Sequence, residues 1–253
     1  MLRLDQLLVH QQLAATRTQA AKMLEQGRVY LNKGGHWQVA SKPGLKLPEE
    51  TLLRVEAAEE DQYVSRGALK LKAAIEAGSI QVHNQIALDI GQSTGGFTDY
   101  LLQAGAASVV GIDVGHSQLH PRLQGDHRVR ALEKVNARYL TPDQLLSAQL
   151  PAKYGLIVMD ISFISQTLVL PQCPNLMADQ GWLITLVKPQ FEVGKEYINK
   201  HGLVTDTRLY EAVRSKIESQ ILSLGLSLRG WLASPIQGGD GNYEFLCMAQ
   251  KIS

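Results

Sequence analysis

At 253 residues the chain has room for one large or two modest domains and can bury a proper core. A hydrophobic share of 45% beside 19% charged residues excludes a disordered chain. The net charge of +1 points to no partner, but residues 1–48 hold seven Lys/Arg against two Asp/Glu, a net of +5 that leaves −4 for the remainder. Such asymmetry predicts a small module that meets something anionic. Cys173 and Cys247 lie far apart, without metal-ligand spacing, and read as reduced core thiols. No signal-peptide pattern opens the chain, and no apolar run approaches the roughly 18 residues of a spanning helix. A cytoplasmic protein without a membrane partner and without a metal site is expected.

In chain order, Leu4, Leu7 and Leu8 share a helical face and predict a helix over residues 3–10. Thr16-x-x-Gln19 has capping-box spacing, so a second helix starts there, with Ala20, Ala21, Met23 and Leu24 inward and Gly27 at its end. Residues 29–31 alternate into a strand, Asn32-Lys33-Gly34-Gly35 is a turn, and residues 37–39 return. A basic turn at 42–46 precedes a strand at 52–55. Two short helices and small strands with basic ends resemble the RNA-binding fold of ribosomal protein S-four over residues 2–56. The carriers are Arg-Leu-Asp-x-Leu-Leu from Arg3 and Arg-x-Gln-Ala…Gly-x-Val-x-Leu-Asn from Arg17. The resemblance implies that Arg3, Arg17, Lys22, Arg28 and Lys33 meet RNA phosphates, which Lys/Arg clusters neutralise without regard to base sequence. The plain alternative is a solvated basic face.

The acidic stretch at 56–62 is the best linker candidate, which divides the chain into an RNA-binding domain at 1–56, a linker at 57–64 and a second domain at 65–253. Ser65 is expected to cap a helix that runs to Ala77 and stops at Gly78. Strand candidates then recur at 86–90, 108–113, 129–132, 155–160, 182–187, 226–233 and 244–249, with helical patterns at 97–104, 165–178 and 207–224. Such alternation predicts an α/β domain with a seven-stranded, doubly wound, Rossmann-like sheet of the methyltransferase type, its final strand antiparallel. A small α+β domain precedes it.

The chemistry is expected at the carboxyl ends of the strands. Residues 86–90 end in Asp89-Ile90 and pass into Gly91-Gln92-Ser93-Thr94-Gly95-Gly96 before a helical pattern opens at Phe97. Fitted to a dinucleotide fingerprint, this turn has Ser93 where a glycine admits the pyrophosphate, so a nucleoside ligand such as S-adenosylmethionine fits better; a structural glycine turn is the plain alternative. Asp113, 22 positions beyond Gly91, is either a ribose-diol acceptor or a solvated strand-end acid. Asn136 either reads an adenine edge or belongs to a polar loop. Asp160 follows the fourth strand. Lys188 follows the fifth, and a desolvated lysine there can act as a general base.

Six motifs occur in order: Ser65-Arg66-Gly67-x-Leu69-Lys70-Leu71, Asp89-Ile90-Gly91-x-Ser93-Thr94-Gly95-Gly96-Phe97-Thr98-Asp99, Asp113-Val114-Gly115, Asp160-x-Ser162-Phe163-Ile164-Ser165, Lys188-Pro189-Gln190-Phe191-Glu192 and Gly241-Asn242-x-Glu244-Phe245. Together they resemble the TlyA family, ribosomal RNA 2′-O-methyltransferases of the FtsJ-like class that use S-adenosylmethionine. The resemblance implies a Lys-Asp-Lys-Glu catalytic set at Lys70, Asp160, Lys188 and Glu244. Lys188 would take the ribose proton and Asp160 would orient it near the methyl donor, while Lys70 and Glu244 complete the charge network. The donor would lie on Asp89, Gly91, Ser93, Gly95, Gly96, Phe97, Asp113, Asn136 and Asp160, with Arg66 joining the RNA-binding cations. The implied partner is ribosomal RNA, free or in an assembled subunit, and the implied target is a cytidine. Gln92 and Ala68 depart from the family pattern without removing a reactive group. Two other readings stay open: a non-catalytic RNA-binding assembly factor, and a membrane-active haemolysin.

Overall fold

Thr16 starts the second helix as its spacing demands: its Oγ1 accepts from the Gln19 amide at 3.2 Å. The computed structural model describes residues 1–239 and 241–252 and has two compact units, Met1–Asp61 and Gln62–Ser253. In the first, β1 (Leu2–Arg3) leads into α1 (Leu4–His10) and α2 (Arg17–Glu25), followed by β2 (Val29–Lys33), β3 (His36–Val39), β4 (Lys46–Leu47) and β5 (Leu53–Val55). β1 pairs with β4, and β3, β2 and β5 form an antiparallel sheet with β2 central. Leu4, Leu8, Met23, Leu24, Val29 and Leu31 fill the core.

The acidic stretch is not the free linker expected at 57–64. Residues Glu59–Gln62 form a 3-10 turn, and its acids reach back to the helical layer. Lys22 Nζ lies 2.8 Å from Glu60, and Arg28 pairs with both Asp61 and Glu60. Residues 1–61 therefore hold eight Lys/Arg and eight Asp/Glu, and the basic excess of the first 48 residues is cancelled within one unit.

The second unit follows the expected alternation. α3 (Gly67–Ala77) precedes β6 (Ile86–Ile90), α4 (Gly96–Gln103), β7 (Ser108–Ile112), α5 (Pro121–Gln124), β8 (Val129–Leu132), α6 (Pro142–Ser147) and β9 (Tyr154–Met159). Then come α7 (Cys173–Leu176), β10 (Met177–Val187), α8 (Leu209–Ser223), β11 (Leu226–Ala233) and β12 (Phe245–Lys251). The seven strands stand in the order β11-β12-β10-β9-β6-β7-β8. All pairings are parallel except those of β12, which runs antiparallel to both neighbours. Both faces of the sheet are covered. Leu88 and Ile90 belong to one core cluster and Ala87 to the other, as alternating side chains in a two-sided sheet require.

Two local expectations fail. The helix over 165–178 is broken into 3-10 turns Gln166–Leu168 and Leu170–Gln172 and the single turn α7, because Pro171 and Pro174 remove donors that a continuous helix needs. Ser65 does not cap α3; that helix starts at Gly67 without a side-chain cap, and the Ser65 hydroxyl packs against Gly96 instead. Among the described residues no helix is long and apolar enough to cross a membrane.

Candidate active site

From β6 the chain steps outward to β7 and β8, and from β9 it steps the other way, so the switch point lies between β6 and β9. That is where an open α/β sheet binds its ligand. A cleft of about 590 Å³ opens there, walled by Gly91, Ser93, Asp113, Asn136, Asp160 and Phe163 among others. A smaller cavity of about 190 Å³ adjoins it, walled by Ser65, Gly96, Phe97 and Lys188. The two share Gly91, Ser93, Asp160 and Ser162 as a common wall.

Gly91 is required at that wall. Its φ is +86°, and a Cβ would stand 2.3 Å from the Asp160 carbonyl oxygen. The departure at Gln92 also has a reason. Its buried side chain fills the space a Cβ on Gly111 would occupy, and its Nε2 donates to Thr98 Oγ1 at 2.9 Å. Thr98 Oγ1 in turn donates to Asp89 Oδ2 at 2.7 Å. Asp89 thus lies under the turn, 1% exposed, and lines neither cavity; it braces the loop and does not face a ligand. Gly95 likewise turns its open side to Leu123 and Leu119.

Burial pushes the Asp89 carboxyl up to about 7, against the Thr98 hydrogen bond and with help from the nearby Asp160 charge. A carboxyl raised above its unfolded value of about 3.9 stabilises the fold fully below that value, and the contribution is lost as pH rises through about 7. Asp89→Asn keeps an acceptor for Thr98 and removes the titration. Thermal unfolding at pH 5 and pH 8 should show a smaller drop in Tm for the variant than for the natural chain; equal drops would exclude Asp89 as the source.

Asp113 stands in the cleft wall as expected. Its Oδ2 accepts from the Ser93 amide and its Oδ1 from the Gly115 amide, both at 2.7 Å, so it pins the glycine turn while facing the cleft. Asn136 also lines the cleft, with its Oδ1 accepting from the Arg138 amide at 3.1 Å. Gly96 and Phe97 wall the smaller cavity, and Phe97 is mostly core.

The four residues of the implied catalytic set come together as two ion pairs on one sheet edge. Lys188 Nζ lies 2.6 Å from Asp160 Oδ1 and donates to Ser162 Oγ at 2.8 Å. Val187 of β10 is paired with Phe245 of β12 in antiparallel register, which sets Lys188 and Glu244 side by side at that edge. Glu244 is buried and ion-paired with Lys70 of α3.

Several contributors were not anticipated. Phe163 is 91% exposed, has a φ of +64°, and sets its ring 5.2 Å from that of Phe191 at a tilt of 51°. A bulky residue in that backbone region is strained, and this one stands in the wall of the larger cleft. In the sequence it stands within the motif Asp160-x-Ser162-Phe163-Ile164-Ser165, in which the resemblance gives a role to Asp160 alone. Glu192, its side chain buried, accepts from the Ser165 hydroxyl at 2.6 Å and the Gln166 amide at 2.8 Å, and pairs with Lys216. It ties together the loops that carry Phe163 and Phe191. In the loop at 194–202, Asn242 donates to the Gly202 carbonyl at 2.8 Å.

Four of the expected RNA-binding cations pair with acids of their own unit. Arg3 and Arg17 share Asp5, whose carboxyl the Arg3 guanidinium holds down at about 2. Lys22 and Arg28 are turned onto Glu60 and Asp61. Lys33 is exposed at the hairpin, and Arg66 is exposed ahead of α3.

Comparison with known proteins follows the same division. Residues 63–251 match the FtsJ-like methyltransferase family and residues 2–51 the S4 domain. The chain is 40% identical to the 16S/23S rRNA (cytidine-2′-O)-methyltransferase TlyA of Mycobacterium tuberculosis, over 96% of this chain and 87% of that protein. It is 35% identical to hemolysin A of Brachyspira hyodysenteriae, over 97% of this chain and 98% of that one. A solved structure of a candidate hemolysin from Streptococcus thermophilus superposes with a TM-score of 0.74 at 39% identity, covering 99% of this chain and 88% of the other.

Proposed function

The chain belongs to the TlyA family, an S4 domain joined to an FtsJ-like methyltransferase domain, and on that premise we propose that it methylates the ribose 2′-hydroxyl of a cytidine in ribosomal RNA, in the cytoplasm. The observation that carries this reading is the common wall of the two cavities, where Asp160 and Ser162 meet Lys188 of the smaller cavity in one polar cluster. S-adenosylmethionine fits the larger cleft: bare backbone at Gly91, a carboxylate at Asp113 suited to a ribose diol, and apolar walls at Ile112 and Ile161. When bound it supplies an electrophilic methyl group on a sulfonium centre.

The chain's own residues then have separable tasks. As the neutral amine, Lys188 Nζ holds the ribose oxygen and takes its proton, becoming an ammonium as the oxygen forms its bond to the methyl carbon. Asp160 balances and orients that ammonium, and Ser162 fixes the rotamer from the other side. The buried Lys70–Glu244 pair keeps a second charge couple beside it at the β12 edge. Lys188 is recessed in the smaller cavity, where a continuous RNA helix cannot enter, so the target nucleotide has to be splayed out, and the exposed Phe163 ring offers its base a stacking surface.

The test is transfer of a tritiated methyl group from S-adenosylmethionine to separated ribosomal subunits and to free ribosomal RNAs, followed by mapping of the labelled position. Label in an alkali-resistant dinucleotide with a methylated cytidine ribose is expected. Binding of S-adenosylmethionine without transfer to any ribosomal RNA would overturn the proposal.

A further inference from the structure

The outward face of the β3-β2-β5 sheet is the least explained surface of the first unit. Val29 and Leu31 of β2, with Leu53 and Val55 of β5, point into the core, so alternation sends Tyr30, Asn32 and Arg54 outward. The register pairs Tyr30 with Val39 and Asn32 with Trp37, which adds those two side chains to the same face. Trp37 is 42% exposed, Val39 57% and the adjoining Leu52 65%. Large apolar side chains grouped on one face mark an interaction site more often than a solvated surface.

The centre of this face decides what it meets. The Arg54 guanidinium carbon lies 4.8 Å from the Tyr30 ring centroid and 5.3 Å from that of Trp37. Arg54 and the neighbouring Lys33 have no ion pair among the described residues, whereas Arg3, Arg17, Lys22 and Arg28 are each matched by an acid. The unit has no formal net charge to draw a phosphate backbone in bulk. What it offers instead is a planar cation set over two aromatic rings, with aliphatic flanks. Aromatic rings and arginine planes stack unpaired bases, and a duplex hides those base faces.

We propose that this sheet face, built on Tyr30, Trp37 and Arg54, is a stacking platform for an unpaired nucleotide of RNA. It rests on the reading that the substrate is RNA, and adds that the first unit selects single-stranded segments by stacking more than by charge.

The full chain is titrated, by fluorescence anisotropy, into a short unstructured oligoribonucleotide and into a blunt-ended two-strand RNA duplex. Trp37→Ala and Arg54→Ala should each weaken single-strand binding about tenfold, the scale of one lost stack, and leave duplex binding unchanged. Trp37→Phe, which keeps a ring, should bind as the natural chain does. S-adenosylmethionine binding, measured on the same samples, should not move. If the single-strand loss appears but no ribosomal RNA is methylated, the platform stands and the proposed reaction falls. Unchanged single-strand binding by both alanine variants would overturn the platform. So would a natural chain that sediments as a dimer and is split by Trp37→Ala, which would make this face a self-association surface.

Discussion

Lys188→Ala is expected to lower methyl transfer to ribosomal RNA by about a thousandfold, the scale of a lost proton acceptor, while S-adenosylmethionine binding stays close to that of the natural chain. The split follows from where the side chain sits. Lys188 lines the smaller cavity and is absent from the walls of the larger cleft, so its removal changes the acceptor side alone. Asp160→Ala should behave differently, because Asp160 lines both cavities: transfer falls and donor binding weakens together. Single-turnover transfer with saturating donor, set beside equilibrium dialysis of S-adenosylmethionine, separates the two outcomes. Lys188→Arg keeps the charge but cannot give up its proton, and should not restore the rate. Full transfer by Lys188→Ala would remove it from the chemistry. A cell phenotype that survives Lys188→Ala while methylation disappears would instead favour an assembly role for the chain.

The strands were readable because a sheet buried on both faces demands continuous apolar runs, and β6 and β9 carry them. Their ends were readable for the same reason: a charged residue that closes such a run stands at the sheet edge, as Asp160 and Lys188 do. Asp89 and Asp113 look equivalent by that rule. What separates them is nonlocal: Gln92 lies over Gly111, so Thr98 and Asp89 are sealed beneath the turn while Asp113 stays in the cleft wall. Charge was the poorest guide. The basic excess of the first 48 residues is real in one dimension, but Lys22 and Glu60 meet across 38 positions, and counting cannot show that. Phe163 stands in a quoted motif, but its part was not legible because the exposure of its ring is set by the fold and not by its neighbours in sequence.

The Lys70–Glu244 pair is where stability and reaction can be told apart. The two side chains are 10% and 3% exposed, so each has lost most of its hydration and depends on the other. Removing one member of such a pair costs about 3–5 kcal/mol, because the remaining charge is left buried and uncompensated. In a domain of this size each kcal/mol moves Tm by about 2–4 °C, so Lys70→Ala should melt on the order of 10 °C below the natural chain. The double variant Lys70→Met with Glu244→Gln keeps the volume and removes both charges, and should recover most of that loss. Thermal unfolding and methyl transfer measured on all the variants then give opposite answers for two roles. A purely structural pair predicts that the double variant regains both Tm and transfer. A pair that works on the target nucleotide predicts that it regains Tm and stays slow. The second result is expected, because the β10–β12 register sets Glu244 next to Lys188, where a charge couple would act on the ribose oxygen proposed to meet Lys188.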